Sequence, residues 1–409
     1  MPPRPLRLLA ITALFTASFL AVPAASQTHF QTIYTFGAYP DAQTPQGVAA
    51  GLDGALYGAS AYGGLFGPGT IFEMQPPAAP GAAWTVSVIH SFAPQFGDGW
   101  GPNSSAVVGS GGAIFGTTTG PGYGTVYGAQ PPASPGQPWT ESVLMQGTGI
   151  ETALNPNNVV AGPNGVVYGT DLGGGDYWRG SVFELAPPPL PGEAWTETLL
   201  YSFGAVDSND GTGPVGLALA ADGTLYGVTQ STVFQLVPPS APSGAWTLNT
   251  IYSFSETSDG FTPTQAPVIS GGAIYGTTSY GGSAGYGTVY QLSPPAHANA
   301  PWNFTVLHNF APPEDGLISS SPLVVRNGII YGTTAGNIGS SSAGGTVFAL
   351  HPPAAPGGSW TEKVLHQFTG RLEPWGTLVV DAAGNIYGAT NPGYLEYPPG
   401  PCTAYEIQP

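Results

Sequence analysis

The sequence predicts an all-β fold, a seven-bladed β-propeller of four-stranded antiparallel blades that is closed by the N-terminal strand. A repeat of roughly 55 residues occurs seven times, and each copy holds four short segments of β-branched and aromatic residues bounded by turn residues. The 62 Gly and 44 Pro residues favour many short strands over long helices. A repeat of this period is also compatible with a β-solenoid, but solenoid coils are usually shorter and more uniform.

The repeat is recognised by an aliphatic-aromatic-Gly triplet. A Gly-Thr-aliphatic-aromatic segment follows, then a Pro-Pro pair, a Trp and an apolar run that usually ends in Phe. In the sixth repeat these segments predict strand A near Leu323–Arg326, B near Ile329–Thr334, C at Gly345–Leu350 and D at Trp360–Phe368. The seven triplets begin at Leu56, Ile114, Val167, Leu225, Ile274, Ile330 and Ile386.

The two ends of the repeat array predict ring closure. Residues 29–36 (His29 to Phe36) resemble a D strand without its repeat, and the seventh repeat stops after a C strand at Thr403 to Ile407. We therefore expect the first segment to supply the outer strand of the last blade, which would leave no repeat with an unpaired edge.

The N-terminus has the composition of a signal peptide. Arg4 and Arg7 form the basic region, Leu8 to Val22 the apolar stretch, and cleavage is expected after Ala24 or Ser26. We predict a signal peptide at 1–26 and a single propeller domain at 27–409, and hence a secreted, monomeric product with no membrane span. An uncleaved membrane anchor is the alternative. Cys402 is the one cysteine of the chain, so no internal disulfide can form.

The charge balance is strongly acidic, with 6 Lys and Arg against 23 Asp and Glu and a net charge of −17. Such a field repels phosphate backbones and anionic lipid, so nucleic acid is excluded as a partner. Neutral glycans, peptides and partner proteins remain as ligands.

Loop lengths indicate which face of the propeller carries a site. The C–D segments have a constant length, whereas the B–C and D–A loops vary, and functional residues concentrate in variable loops. The fourth repeat has only Thr229–Ser231 as its B–C loop, so we expect a notch in the rim near Asp210 and Asp259. We place the site on the face of the B–C and D–A loops, and its candidate binding residues are Asp98, Trp100, Tyr123, Trp178, Asp210, Asp259, Phe261 and Asp315.

The acids of the D–A loops have three interpretations. Carboxylates near a propeller axis can act as a general acid and base, or they can bind Ca²⁺, but Asp-Gly is also an ordinary turn pair. Repeat-equivalent positions favour the turn. We expect no catalytic set and no resident cofactor, with Ca²⁺ as the one alternative.

The histidines and tryptophans are expected to be structural. His90, His308 and His366 share one D-strand position with Tyr and Met in other repeats, which indicates packing; His29, His297 and His351 lack the spacing of metal ligands. The six Trp residues of the repeats should belong to the blade core. The loop aromatics Trp100, Trp178 and Tyr123 could stack on sugar rings or cover Gly-rich loops.

The repeat resembles the GloVer tandem repeat of exported bacterial proteins with varied surface anchors. The segments Ile274–Thr278, Gly281–Gly282 and Gly287–Tyr290 match its pattern closely, and a looser similarity to kelch repeats concerns architecture alone. The resemblance implies export and implies no reaction. Two functions follow: an extracellular binding or scaffold propeller, or a hydrolase or lyase that acts on polysaccharides.

Overall fold

β-branched and aromatic residues alternate with small ones along each repeat, and this pattern forms short strands throughout the chain. The computed structural model describes residues 28–409 apart from 38–39, 80, 121, 135, 148–154, 191, 207, 242–243, 256–257, 298–299, 312–314, 320, 337–342, 356, 371 and 392–400. The predicted signal peptide at 1–26 lies outside the described residues.

The strands and 3-10 helices have the following bounds in the part of the chain that is described. The strands are β1 (His29–Thr35), β2 (Ala42–Ala50), β3 (Leu56–Gly63), β4 (Thr70–Gln75), β5 (Thr85–Ser91), β6 (Trp100–Pro102), β7 (Val107–Val108), β8 (Ile114–Gly120), β9 (Thr125–Gln130), β10 (Thr140–Gln146), β11 (Pro156–Ala161), β12 (Val167–Asp171), β13 (Ser181–Ala186), β14 (Thr196–Ser202), β15 (Gly216–Leu219), β16 (Leu225–Val228), β17 (Thr232–Val237), β18 (Thr247–Ser253), β19 (Phe261–Pro263), β20 (Val268–Ser270), β21 (Ala273–Tyr280), β22 (Thr288–Ser293), β23 (Asn303–Asn309), β24 (Leu317–Ser319), β25 (Val324–Arg326), β26 (Ile329–Ala335), β27 (Ala343–His351), β28 (Thr361–Thr369), β29 (Glu373–Val380), β30 (Ile386–Asn391) and β31 (Thr403–Gln408). The 3-10 helices are Pro94–Phe96, Ser110–Gly112 and Pro163–Gly165.

The strands form a β-propeller, in which each repeat pairs its A, B, C and D strands in antiparallel order from the inside outward. The third repeat, for example, has the order β11-β12-β13-β14. In the second, fifth and sixth repeats the A strand is split into two pieces, which both pair with strand B. The four strands predicted for the sixth repeat are confirmed as β25 to β28.

The prediction of a seven-bladed propeller is wrong, because the structure has five separate blades of four or five strands. Among the described residues, five blades are separate sheets, and the remaining strands form one eight-stranded sheet in the order β1-β31-β30-β29-β2-β3-β4-β5. Strands of the first and last repeats are joined there by a parallel pairing of Gly47 with Thr377. The two strands can pair because glycines occupy both sides of their contact. A Cβ on Gly47 would lie 2.4 Å from the Thr377 nitrogen, and a Cβ on Gly376 would lie 2.0 Å from the Gln46 oxygen. Without these side chains the two inner strands approach closely enough to pair.

The two ends of the chain pair as predicted. Strand β1 is antiparallel to β31, with His29 opposite Gln408 and Thr35 opposite Thr403. The backbone N–H of Phe36 donates to the carbonyl of Cys402 at 2.9 Å. The outer strand of the sheet therefore comes from the opposite end of the chain.

The hydrophobic core lies between neighbouring sheets. The glycine of each triplet lies under the aromatic ring of the next strand; a Cβ on Gly227 would be 2.2 Å from Cζ of Phe234. The repeat tryptophans are partly buried at the seams between sheets rather than inside single blades. Trp139, for example, packs edge-on against Tyr57 of the preceding repeat, with ring centroids 5.7 Å apart.

Candidate functional site: the central cavity and its aromatic rim

The inner strands enclose a cavity of about 1160 Å³, to which residues of every repeat contribute. Its wall is made of Asn, Gln, Ser, Thr and small apolar residues, with three large aromatic rings. Among the described residues, no Asp, Glu, Lys, Arg or His lines the cavity. The wall is therefore uncharged, with amides and hydroxyls set among apolar side chains, although the chain carries a net charge of −17.

The residue after the A-strand proline provides much of this polar wall, as Gln46, Asn103 and Asn157 do. The Asn157 amide donates to the carbonyl of Pro214 at 3.2 Å and accepts from the Thr170 hydroxyl at 2.9 Å. The Asn103 amide makes the equivalent pair of bonds in the preceding repeat. The bonds to the two proline carbonyls run to the next repeat, and those from the two threonines lie within one repeat; together they hold the amides at the cavity wall.

The B–C and D–A loops lie on one face, as hydrogen bonds between them require. The Gly101 N–H donates to the carbonyl of Pro68 at 2.6 Å, and the Gly213 N–H donates to the carbonyl of Arg179 at 2.7 Å. Trp100 is 51% exposed at the start of β6, directly after a D–A loop, and lines the cavity together with the exposed ring of Tyr62. Trp375 lies on β29 and donates through its indole N–H to the Gln46 side chain at 3.2 Å.

The other predicted aromatic residues lie outside the cavity wall. Tyr123 and Trp178 are exposed on B–C loops, and Trp178 is 54% exposed. Phe261 is half-buried and stacks on Tyr280, with ring centroids 5.3 Å apart. In the fourth repeat β16 and β17 are joined by a tight turn, and no large hydrophobic side chain in the described parts of 208–279 is exposed.

The predicted acids do not line the cavity. Asp259 accepts hydrogen bonds from the Tyr252 hydroxyl at 2.8 Å, the Ser255 N–H at 2.9 Å and the Ser255 hydroxyl at 2.6 Å. Burial by itself would raise the pKa of Asp259, but these bonds outweigh it and lower the pKa. Burial, and next the bond to Asp259, raise the pKa of Tyr252.

Asp98, Asp210 and Asp315 are bound within their own loops in the same way. The Tyr201 hydroxyl donates to Asp210 at 2.8 Å. His90 Nε2 lies 2.9 Å from Asp98 Oδ2, and His308 Nε2 lies 3.3 Å from Asp315 Oδ2. The structure therefore ties each acid to the D strand of its own repeat and does not bring these acids together at the cavity.

Sequence reasoning missed this pairing, although a signal was present. An Asp follows the D-strand His or Tyr by seven to nine residues in five repeats. The second repeat has Met145 at this position and no Asp in the loop after it. The Tyr or His and the Asp therefore occur together in five repeats, and His366, which no Asp follows at this distance, is the exception.

The architecture and repeats place this chain in the class of tandem-repeat β-propellers. It belongs to the family described as Gloeobacter/Verrucomicrobia repeat, whose model matches residues 21–233 and 155–397. The resemblance to the GloVer repeat is thus confirmed. Comparison with curated proteins gave no match.

Solved structures with a similar fold come from distant proteins. YCF48 from Cyanidioschyzon merolae is 11% identical with a TM-score of 0.53, and the match covers 93% of this chain and 99% of that one. The extracellular domain of BT4673 from B. thetaiotaomicron is 12% identical with a TM-score of 0.50, over 91% of this chain and 39% of that one. The extracellular domain of BT3049 from the same organism is 12% identical with the same TM-score, over 91% and 40%. At these identities the similarity concerns the fold. Among the described residues, no helix is both long and apolar enough to cross a membrane.

Proposed function

We propose that this chain is a secreted binding protein that holds a neutral glycan at the mouth of the central cavity. The observation that carries the proposal is an uncharged, amide-rich wall beside the exposed ring of Trp100. Amides and hydroxyls match the donors and acceptors of sugar hydroxyls, and an aromatic face packs against the apolar face of a sugar ring.

The size and charge of the cavity support a neutral ligand. A volume of about 1160 Å³ lies at the upper end of ligand pockets, which suits several linked sugar rings rather than one. An acidic glycan would meet the repulsion of a chain with a net charge of −17. Export is supported by the basic and apolar N-terminal segment and by the repeat family to which the chain belongs.

A glycan array with neutral and acidic members tests the proposal, followed by titration of the best neutral glycan. Trp100→Ala should weaken binding at least about tenfold, because lost stacking on one ring costs on the order of 1.4 kcal/mol. Trp178→Ala is the matched control: its ring is equally exposed but lies outside the cavity wall, so its affinity should equal that of the unmodified chain.

Two further measurements separate the other ligand classes. Binding of a neutral glycan should be insensitive to salt, whereas binding of a basic protein should weaken as salt rises. Release of reducing sugar by the wild-type chain would favour the hydrolase. The proposal would be overturned if the chain bound no neutral glycan on the array. It would also be overturned if Trp100→Ala bound the glycan with the same affinity as the wild type.

A further inference from the structure

Two seams between neighbouring sheets contain a His, an Asp and a Glu in the same arrangement. We call His90, Asp98 and Glu141 the first His–Asp–Glu cluster, and His308, Asp315 and Glu362 the second. In each cluster the His lies on a D strand, the Asp in the following loop and the Glu on the next D strand. One side-chain nitrogen or oxygen from each residue lies within 4.8 Å of the others.

The second cluster has the separations of ligands around a metal ion. His308 Nε2 lies 3.3 Å from Asp315 Oδ2 and 3.5 Å from Glu362 Oε2. Two ligands on a tetrahedral ion with bonds of about 2.0 Å are about 3.3 Å apart. In the first cluster His90 Nε2 and Asp98 Oδ2 are closer, at 2.9 Å.

Buried polar atoms in the clusters lack hydrogen-bond partners, which points independently to a ligand. The side chain of Glu362 is 9% exposed. In the described part of the chain, its Oε1 makes no hydrogen bond, and the same holds for Glu141 Oε1. The other contacts of the Glu362 carboxyl are with Asp315 and with His308, whose Nε2 also lies 3.3 Å from Asp315 Oδ2. A buried carboxylate oxygen of this kind is costly unless something binds it.

The repeats with a Tyr in place of the His lack the Glu, whereas Glu197 occurs opposite Met145 and His366 stacks on Phe30. Where the D-strand residue is a Tyr bound to a loop Asp, the residue on the next D strand is apolar. The Tyr and apolar pairs are Tyr34 with Val86, Tyr201 with Leu248 and Tyr252 with Phe304; the first two pairs each belong to one hydrophobic cluster, and the rings of the third are stacked. A Glu faces the pair in both seams that contain a His and an Asp.

We propose that each His–Asp–Glu cluster binds one divalent transition-metal ion of the zinc class and thereby links two neighbouring sheets. One imidazole and two carboxylates leave a fourth position for water, as in open zinc sites. Ca²⁺ is disfavoured because it takes six to eight oxygen ligands. The sites lie apart from the cavity and do not depend on the proposed function.

Metal content after chelation, reloading with ZnCl₂ and dialysis tests this proposal. Mass spectrometry should find two Zn²⁺ per folded wild-type chain, one for each cluster. The Glu362→Gln variant should keep one Zn²⁺, and the double variant Glu141→Gln, Glu362→Gln should keep none. Glu197→Gln is the matched control, since Glu197 has the equivalent strand position in a seam whose D-strand residue is Met145; it should keep both ions. Co²⁺ should give the visible absorption of a tetrahedral site, and CaCl₂ should not compete.

A second variant keeps the test valid if the Gln variants do not fold. His308→Tyr with Glu362→Leu reproduces the arrangement of Tyr201, Asp210 and Leu248 in another seam, so it should fold and lose one ion. Circular dichroism verifies folding. No stoichiometric Zn²⁺ in the folded wild type, or both ions retained in either double variant, would overturn the proposal.

Discussion

The bond between Tyr252 and Asp259 is predicted to stabilise the fourth repeat by holding its D strand to the loop that leads to the fifth repeat. Asp259 is buried and accepts three hydrogen bonds, one of them from Tyr252 at 2.8 Å. A bond to a charged group contributes about 1.5–3 kcal/mol. Tyr252→Phe should therefore lower the free energy of unfolding by about 2 kcal/mol, and Asp259→Asn by about 3 kcal/mol because all three donors lose a charged acceptor.

Urea denaturation of both single variants and the double variant measures the coupling between them. The double variant should lose at least about 1 kcal/mol less than the sum of the single losses, because the shared bond is removed only once. Tyr280→Phe removes the hydroxyl of an exposed tyrosine in the next repeat and should change stability by less than about 0.5 kcal/mol. Additive losses in the cycle would refute the assignment of Asp259 to a structural bond.

The pH dependence gives an independent check with a defined sign. The pKa of Asp259 is lowered from its ordinary value of 3.8 on folding, so its contribution is present above that value and is lost as the pH falls through the lower folded pKa. The stability difference between wild type and Asp259→Asn should thus be constant from about pH 5 to 8 and shrink below about pH 4. A difference that grows on acidification would contradict this reasoning.

Three other outcomes follow from the packing. Gly227→Ala should lower the free energy of unfolding in urea by about 1–3 kcal/mol, because its Cβ would overlap Phe234. Adding Phe234→Leu should recover part of that loss. An unchanged urea midpoint in Gly227→Ala would contradict the close packing. Phe30→Ala should lower the free energy of unfolding by about 2 kcal/mol, because it removes ring contacts that hold β1 on the last blade. Thr32 is exposed, so Thr32→Ala should have no effect. Equal losses in the two variants would contradict the role of Phe30. The Cys402 thiol is buried and its pKa is raised by burial, so a thiol reagent should react with it only after denaturation; rapid labelling of the native chain would contradict its burial.

Much of the strand pattern could be predicted because it depends on local sequence. The four strands of the sixth repeat end within about two residues of their expected bounds, since β-branched runs and turn residues delimit them. The pairing of β1 with β31 followed from counting the segments in the repeats. Trp100 was expected on the loop face, and in the structure it lies at the cavity wall.

The acids were chosen for their chemistry, and their surroundings could not be inferred from it. Asp210 and Asp259 occupy variable loops, which favoured a site, but each accepts a hydrogen bond from a tyrosine of its own D strand. The amides of Asn103 and Asn157 were overlooked because single polar residues beside a proline carry no motif. Only the ring arrangement brings them to one wall.

The sequence by itself determined the repeat, its strands and the meeting of the two chain ends, because the side-chain pattern of a strand and its turns are encoded by adjacent residues. Tertiary structure alone decided that the first and last repeats share one eight-stranded sheet, since this depends on Gly47 and Gly376 meeting from opposite ends of the chain. It likewise decided that His308 faces Glu362 across a seam. Contacts between sheets join residues about one repeat or more apart in the chain, so only packing selects them.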